Sequence, residues 1–114
     1  VSGVSDMQQS IFSDGPIACS IQVTAGFLAY EGGIYDEEIT VSQANHLISV
    51  VGWGEDEDSG DQYWIGRNSW GTFWGELGFF RIKLGKNVLG IESDCVWGMP
   101  STQKPDVVKV FVDG

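Results

Sequence analysis

The sole histidine opens an apolar run rich in β-branched residues, His46-Leu47-Ile48-Ser49-Val50-Val51-Gly52-Trp53. A second run, Gln62 to Arg67, ends directly before Asn68. Between them lies Glu55-Asp56-Glu57-Asp58-Ser59-Gly60, all acidic or turn-forming. This pattern predicts a β-hairpin whose first strand is buried and whose loop is long and solvated. It constrains the fold strongly, because a hairpin sets the start of one strand near the end of its partner. His46 and Asn68 are thereby placed to meet.

The remaining signals extend a mainly β domain around that hairpin. Val4, Met7, Ile11 and Phe12 predict a short N-terminal helix with one apolar face. Ser5-Asp6 offers its N-cap, and Asp14-Gly15-Pro16 stops it. Ile17 to Thr24 and Gly78 to Leu84 predict further strands, and Phe27 to Tyr30 a short turn closed by Gly32-Gly33. Glycines crowd the stretch from Gly52 to Gly90, where turns and close backbone approaches are expected. Val107 to Val112, after Pro105, predicts an edge-type strand in a C-terminal extension, 101–114, beyond a domain spanning 1–100. That strand would finish the domain's own sheet or dock a neighbour by edge pairing.

Composition narrows the partners. The chain has 114 residues, enough for one domain, and an ordinary 42% apolar share. Sixteen acids against six bases give a net charge of −10. Such a surface repels phosphate, so neither nucleic acid nor an anionic membrane is an expected partner. The apolar runs are too short to span a bilayer, and no basic-then-apolar leader is evident. The acidic loop lacks the ligand pattern and closing Glu of a calcium loop, so neither metal nor cofactor is expected. Two cysteines, Cys19 and Cys95, leave a disulfide and two buried thiols both open.

The chemistry sits at His46 and Asn68. A neutral imidazole donates from one ring nitrogen and accepts at the other. A carboxamide oxygen holding one N–H would aim the opposite nitrogen into a cleft. Trp70 would cover that hydrogen bond and strengthen it by excluding water. A satisfied core histidine is the bland alternative, and Asn68 tips the reading away from it.

Several motifs agree in order. Asn45-His46-Leu47-Ile48-Ser49-Val50-Val51-Gly52-Trp53-Gly54 precedes Tyr63-Trp64-Ile65-Gly66-Arg67-Asn68-Ser69-Trp70-Gly71, and Trp74-Gly75-Glu76 is followed by Gly78. Together with Gly15-Pro16-Ile17 and Gly32-Gly33-Ile34-Tyr35, these resemble the papain-like cysteine proteases over about Met7 to Pro100. Gly15-Pro16-Ile17-Ala18-Cys19 and Ile91-Glu92-Ser93-Asp94-Cys95 are most similar to a lysosomal carboxypeptidase branch of that family.

The resemblance implies the antiparallel, β-barrel-like right-hand domain of an α+β protease. It implies His46 as catalytic base, Asn68 as its orienting partner, Trp70 as a shield and Trp74 on the leaving-group side of the cleft. It also implies a Cys19–Cys95 disulfide, and hence a lysosomal or secreted, oxidising history.

The family's nucleophile lies in a Cys-Gly-Ser-Cys-Trp-type motif far upstream of the histidine, and this chain has none. Cys19 follows Gly-Pro in a strand-like stretch with no helix N-terminus or nearby cation to lower its pKa, so it is not expected to serve. The implied partners are therefore a nucleophile-bearing left-hand half, on a separate chain or another segment, and a peptide or protein substrate. The rival class is a non-catalytic binding or structural protein that keeps part of the fold. A processed heavy chain, part of a longer polypeptide and a true half-length product would each explain the length. A start at Val1 without methionine favours the first two.

Overall fold

The computed structural model describes residues 1–41 and 43–97. In chain order the elements are α1 (Val4–Asp14), β1 (Ile17–Ile21), the one-turn α2 (Ala25–Leu28), β2 (Ile34–Tyr35), β3 (His46–Glu55), β4 (Gln62–Arg67), β5 (Phe79–Lys83), a 3-10 turn (Val88–Gly90) and β6 (Cys95–Trp97). The strands make one sheet in the order β2-β5-β4-β3-β1-β6. The fold is the expected β-rich one with a short N-terminal helix. The sheet is open, with β2 and β6 at its two ends, and the β2–β5 pairing is parallel. The edge-type strand expected at Val107 to Val112, and the 101–114 extension, lie outside the described residues.

Helix α1 buries Met7 completely and packs Val4 and Ile11 partly against the core. Phe12 does not join them; it is 87% exposed. Each helical residue turns about 100° from the last, so Phe12 stands on the flank of a stripe centred on Met7 and Ile11. The N-cap is Gly3, with no side-chain cap bond, so Ser5 and Asp6 lie inside the first turn. The stop is as expected, with the Gly15 N–H bonded to the Ile11 carbonyl.

Strand β1 ends at Ile21, sooner than expected. The Val23 N–H leaves the ladder for the Asn45 carboxamide oxygen, and Thr24 caps α2. The expected hairpin is present as β3 and β4, paired antiparallel from Ser49–Arg67 to Glu55–Gln62, with a bulge between Val50 and Gly52. β3 is only half-buried, contrary to expectation. Ile48 and Val50 face the core, while Leu47 beside them is 46% exposed. The strand is covered on one face alone, so its β-branched run does not report two-sided burial.

The core is built on Trp64, Phe80, Ile82, Ile48, Val50 and Ile17, all essentially inaccessible. Gly66 lets Phe80 cross β4, because a Cβ there would lie 2.2 Å from the ring. Cys19 and Cys95 are buried and joined by a disulfide. That bond ties β1 to β6 across a sequence separation of 76.

Glu92 is the one buried acid among the described residues, 8% exposed. It accepts from Trp64 Nε1 at 2.8 Å, the Gly85 N–H at 2.6 Å and the Asn87 N–H at 3.2 Å. In return its own N–H donates to the Asn87 side-chain oxygen at 2.8 Å. These bonds clamp the 3-10 turn, where Leu89 holds a left-handed φ of 58° that costs a leucine roughly 1–2 kcal/mol. Glu92→Ala removes the acceptor of three donors, one of them the buried Trp64 indole, and about 1–3 kcal/mol of unfolding free energy is expected to go with it. The measurement is the denaturant midpoint; a loss under about 1 kcal/mol would show that water takes over those donors.

Candidate active site

His46 is the first residue of β3, paired with Ile21 of β1. The preceding residue is anchored on both sides. The Asn45 N–H donates to the Ile21 carbonyl at 2.9 Å, and its side-chain oxygen accepts from the Val23 N–H at 3.0 Å. Asn68 follows the last residue of β4, and its N–H donates to the Gly78 carbonyl at 2.9 Å. The sheet thus delivers an imidazole and a carboxamide to one place from two neighbouring strands. His46 Nε2 lies 2.8 Å from Asn68 Oδ1.

Asn68 is 2% exposed, whereas His46 is half-buried. The Ser69 N–H donates to the same Asn68 oxygen at 2.7 Å. A backbone N–H can only donate, so the amide atom it meets is the oxygen. That fixes the orientation of the carboxamide and makes His46 Nε2 the protonated nitrogen. Nδ1 is left as the acceptor, free to take a proton from a neighbour. Among the described residues Asn68 Nδ2 is buried without a hydrogen-bond partner.

The aromatic wall is present. Trp70 stacks on the His46 ring at 5.0 Å between centroids and 24° between planes. Behind it, Phe27 of α2 lies 5.9 Å from Trp70 and 5.0 Å from Trp74. Trp74 meets Trp70 edge-on at 5.1 Å and donates its indole N–H to the Leu28 carbonyl at 3.1 Å. The four residues singled out by sequence, His46, Asn68, Trp70 and Trp74, are therefore contiguous. Cys19 and Cys95 are not among them. Both thiols are consumed by their disulfide, so this chain has no free thiol to offer.

The turn that carries Trp74 is braced by groups with no assigned role in the sequence reading. Glu76 binds Arg81 through both oxygens, at 3.0 and 2.8 Å, and also accepts from the Gly33 N–H at 3.1 Å. The Arg81 bond holds the Glu76 carboxyl below the usual carboxylate range. The Tyr30 hydroxyl donates to the Gly33 carbonyl at 2.6 Å and accepts from the Arg81 N–H at 3.1 Å; burial above all pushes its pKa upward. Glu76 stood inside the Trp74-Gly75-Glu76 motif, but only tertiary contacts reveal what it holds. Away from the site, Asp56 in the acidic loop accepts from Ser59 N–H and Oγ, closing the loop on itself.

A sequence profile described as Papain family cysteine protease matches residues 2–99. This chain belongs to the papain family of cysteine proteases. Among curated relatives it is 51% identical to Cathepsin Z of Onchocerca volvulus, over 88% of this chain and 35% of that protein. It is 39% identical to Cathepsin B-like cysteine proteinase 5 of Caenorhabditis elegans, over 85% of this chain and 28% of that protein. The chain thus spans about a third of the length of the curated relatives it matches. Bromelain from Ananas comosus, solved in complex with the E64 inhibitor, superposes with a TM-score of 0.75 at 31% identity, covering 82% of this chain and 44% of bromelain. Procathepsin L 3 from the Tenebrio molitor larval midgut superposes with a TM-score of 0.74 at 37% identity, covering 83% of this chain and 32% of that protein.

Proposed function

We propose that this chain is the His- and Asn-bearing part of a cysteine peptidase of the cathepsin Z carboxypeptidase type, lysosomal or secreted. Its nucleophile would come from a partner segment or chain. The observation that carries the reading is the bond between His46 Nε2 and Asn68 Oδ1, which leaves Nδ1 as a proton acceptor beneath Trp70. The likeness to Cathepsin Z supports the subfamily, and the buried disulfide supports an oxidising compartment. Among the described residues no helix is long and apolar enough to cross a membrane.

The chemistry follows from the tautomer. Nδ1 takes the proton of the partner's thiol, giving a thiolate–imidazolium pair. The thiolate attacks the peptide carbonyl, and the imidazolium gives its proton to the departing amine as the acyl–sulfur bond remains. Water, deprotonated by the same nitrogen, then releases the acid and restores the thiol. Asn68 keeps the ring in the productive tautomer throughout, and Trp74 would face the leaving group.

The test is labelling of the natively purified protein with E64, read by intact mass and fragment mapping. Label on a cysteine within a co-purifying Cys-Gly-Ser-Cys-Trp segment, lost on His46→Ala, supports the peptidase. A lone 12.4 kDa species that takes no label would make the chain a binding protein that keeps part of the fold. Cleavage of a peptide with a free C-terminus, and not of its amidated twin, would establish the carboxypeptidase type.

A further inference from the structure

Glu37 sits in the acidic stretch Asp36-Glu37-Glu38, ahead of the segment that leads into His46. Its Oε1 accepts from Thr24 Oγ1 at 2.7 Å and from the Tyr35 hydroxyl. Thr24 has a single hydroxyl hydrogen, and it goes to Glu37; the Thr24 oxygen accepts the Phe27 N–H at 3.1 Å, the N-cap bond of α2. One carboxylate oxygen therefore joins the cap of α2 to β2. The space is made by Gly26. A Cβ there would fall 2.6 Å from the Tyr35 hydroxyl and 3.3 Å from the Glu37 oxygen.

Two arms leave this hub, and both end at the candidate site. Along α2, Phe27 packs on Trp70 and Trp74, and the Leu28 carbonyl holds the Trp74 indole. Along the chain, Ile39 packs against the core and Val41 lies beside Gly90. The Gln43 N–H then bonds the Gln22 side chain, and Asn45 is fastened to Ile21 and Val23. His46 follows at once. Trp70 hangs on the first arm, His46 on the second, and the two rings stack.

We propose that Glu37 is a positioning residue that sets the His46–Trp70 stack from behind; the inference rests on the peptidase reading given above. Burial above all, then the bond to Glu37, pushes the Tyr35 pKa upward, so its hydroxyl stays a donor across the working range. Without the carboxylate, two half-buried hydroxyls lose their shared acceptor and the arms are free to shift independently. Small misplacements of a catalytic group carry large rate costs.

The experiment uses the complete, thiol-bearing protein with Glu37→Ala, Gly26→Ala and Glu37→Gln. It reads kcat and KM, thermal unfolding, and the His46 ring proton signals, which report stacking on Trp70. Glu37→Ala and Gly26→Ala should each lower kcat about tenfold with little change in KM, and both should move the His46 signals. Alanine favours a helix over glycine, so a loss in Gly26→Ala has to come from the displaced hub. Glu37→Gln keeps an acceptor oxygen in place and should restore most of the rate. Unmoved His46 signals with a wild-type rate in Glu37→Ala, or a rate that falls only with the folded fraction, would overturn the proposal. If the wild-type protein hydrolyses no peptide while Glu37→Ala still moves the His46 signals, the peptidase reading falls and the positional link stands.

Discussion

His46→Ala in the complete peptidase is expected to lower kcat/KM by roughly a thousandfold or more, with little loss of stability. The imidazole would act in every proton transfer of the cycle. It would draw the proton from the thiol, return it to the leaving amine and then activate water. His46 is half-buried and lies outside the buried core cluster, so a folded but inert protein is the expected product. Asn68→Ala is expected to cost less. The lost bond is one to a group that would become charged during turnover, about 1.5–3 kcal/mol, or roughly tenfold to a hundredfold in rate. The two substitutions act through one hydrogen bond at 2.8 Å, so their effects should not add. In His46→Ala, adding Asn68→Ala should change almost nothing. An Asn68→Ala enzyme with wild-type kcat and an unshifted pH profile would remove the orienting role.

The His46–Asn68 pair was legible because each residue lies at the end of a strand and hairpin geometry leaves little choice about where such ends meet. The hairpin, the acidic loop and the helix stop at Gly15 were legible for a similar reason, being local patterns with local causes. What the chain did not announce depends on distant partners. Glu92 stands in Ile91-Glu92-Ser93-Asp94, where no local pattern marks it for burial; Trp64 and the 85–87 backbone aim donors at it from elsewhere in the fold. Glu37 is one of three consecutive acids, and nothing in composition separates it from Asp36 or Glu38. Phe12 misled because periodicity gives the direction of a stripe but not its width. The half-exposure of Leu47, next to His46, misled because a β-branched run looks alike whether one face or two are covered. The parallel β2–β5 pair was hidden by the length of chain that separates its strands.

Removing the disulfide by Cys19→Ala with Cys95→Ala is expected to destabilise the fold by about 4–5 kcal/mol. The figure comes from loop closure. Cross-links that enclose longer loops remove more entropy from the unfolded chain, and this one spans a separation of 76. Small domains are stable by only about 5–15 kcal/mol, so the loss is a large share of the total. The geometry adds to it. Cys19 and Cys95 occupy adjoining strands, and the Ser20 N–H to Asp94 carbonyl bond is part of the same junction. β6 is three residues long and has β1 as its partner strand. Without the cross-link it should fray first and uncover its neighbour β1. Hydrogen exchange should therefore accelerate in β6 and β1 before it does in β3 and β4, and the denaturant midpoint should fall. His46, on the neighbouring strand, should keep its stacking on Trp70 as long as the protein stays folded. Equal exchange rates across all strands, or a midpoint unchanged from wild type, would show that the sheet holds its edge without the sulfur bridge.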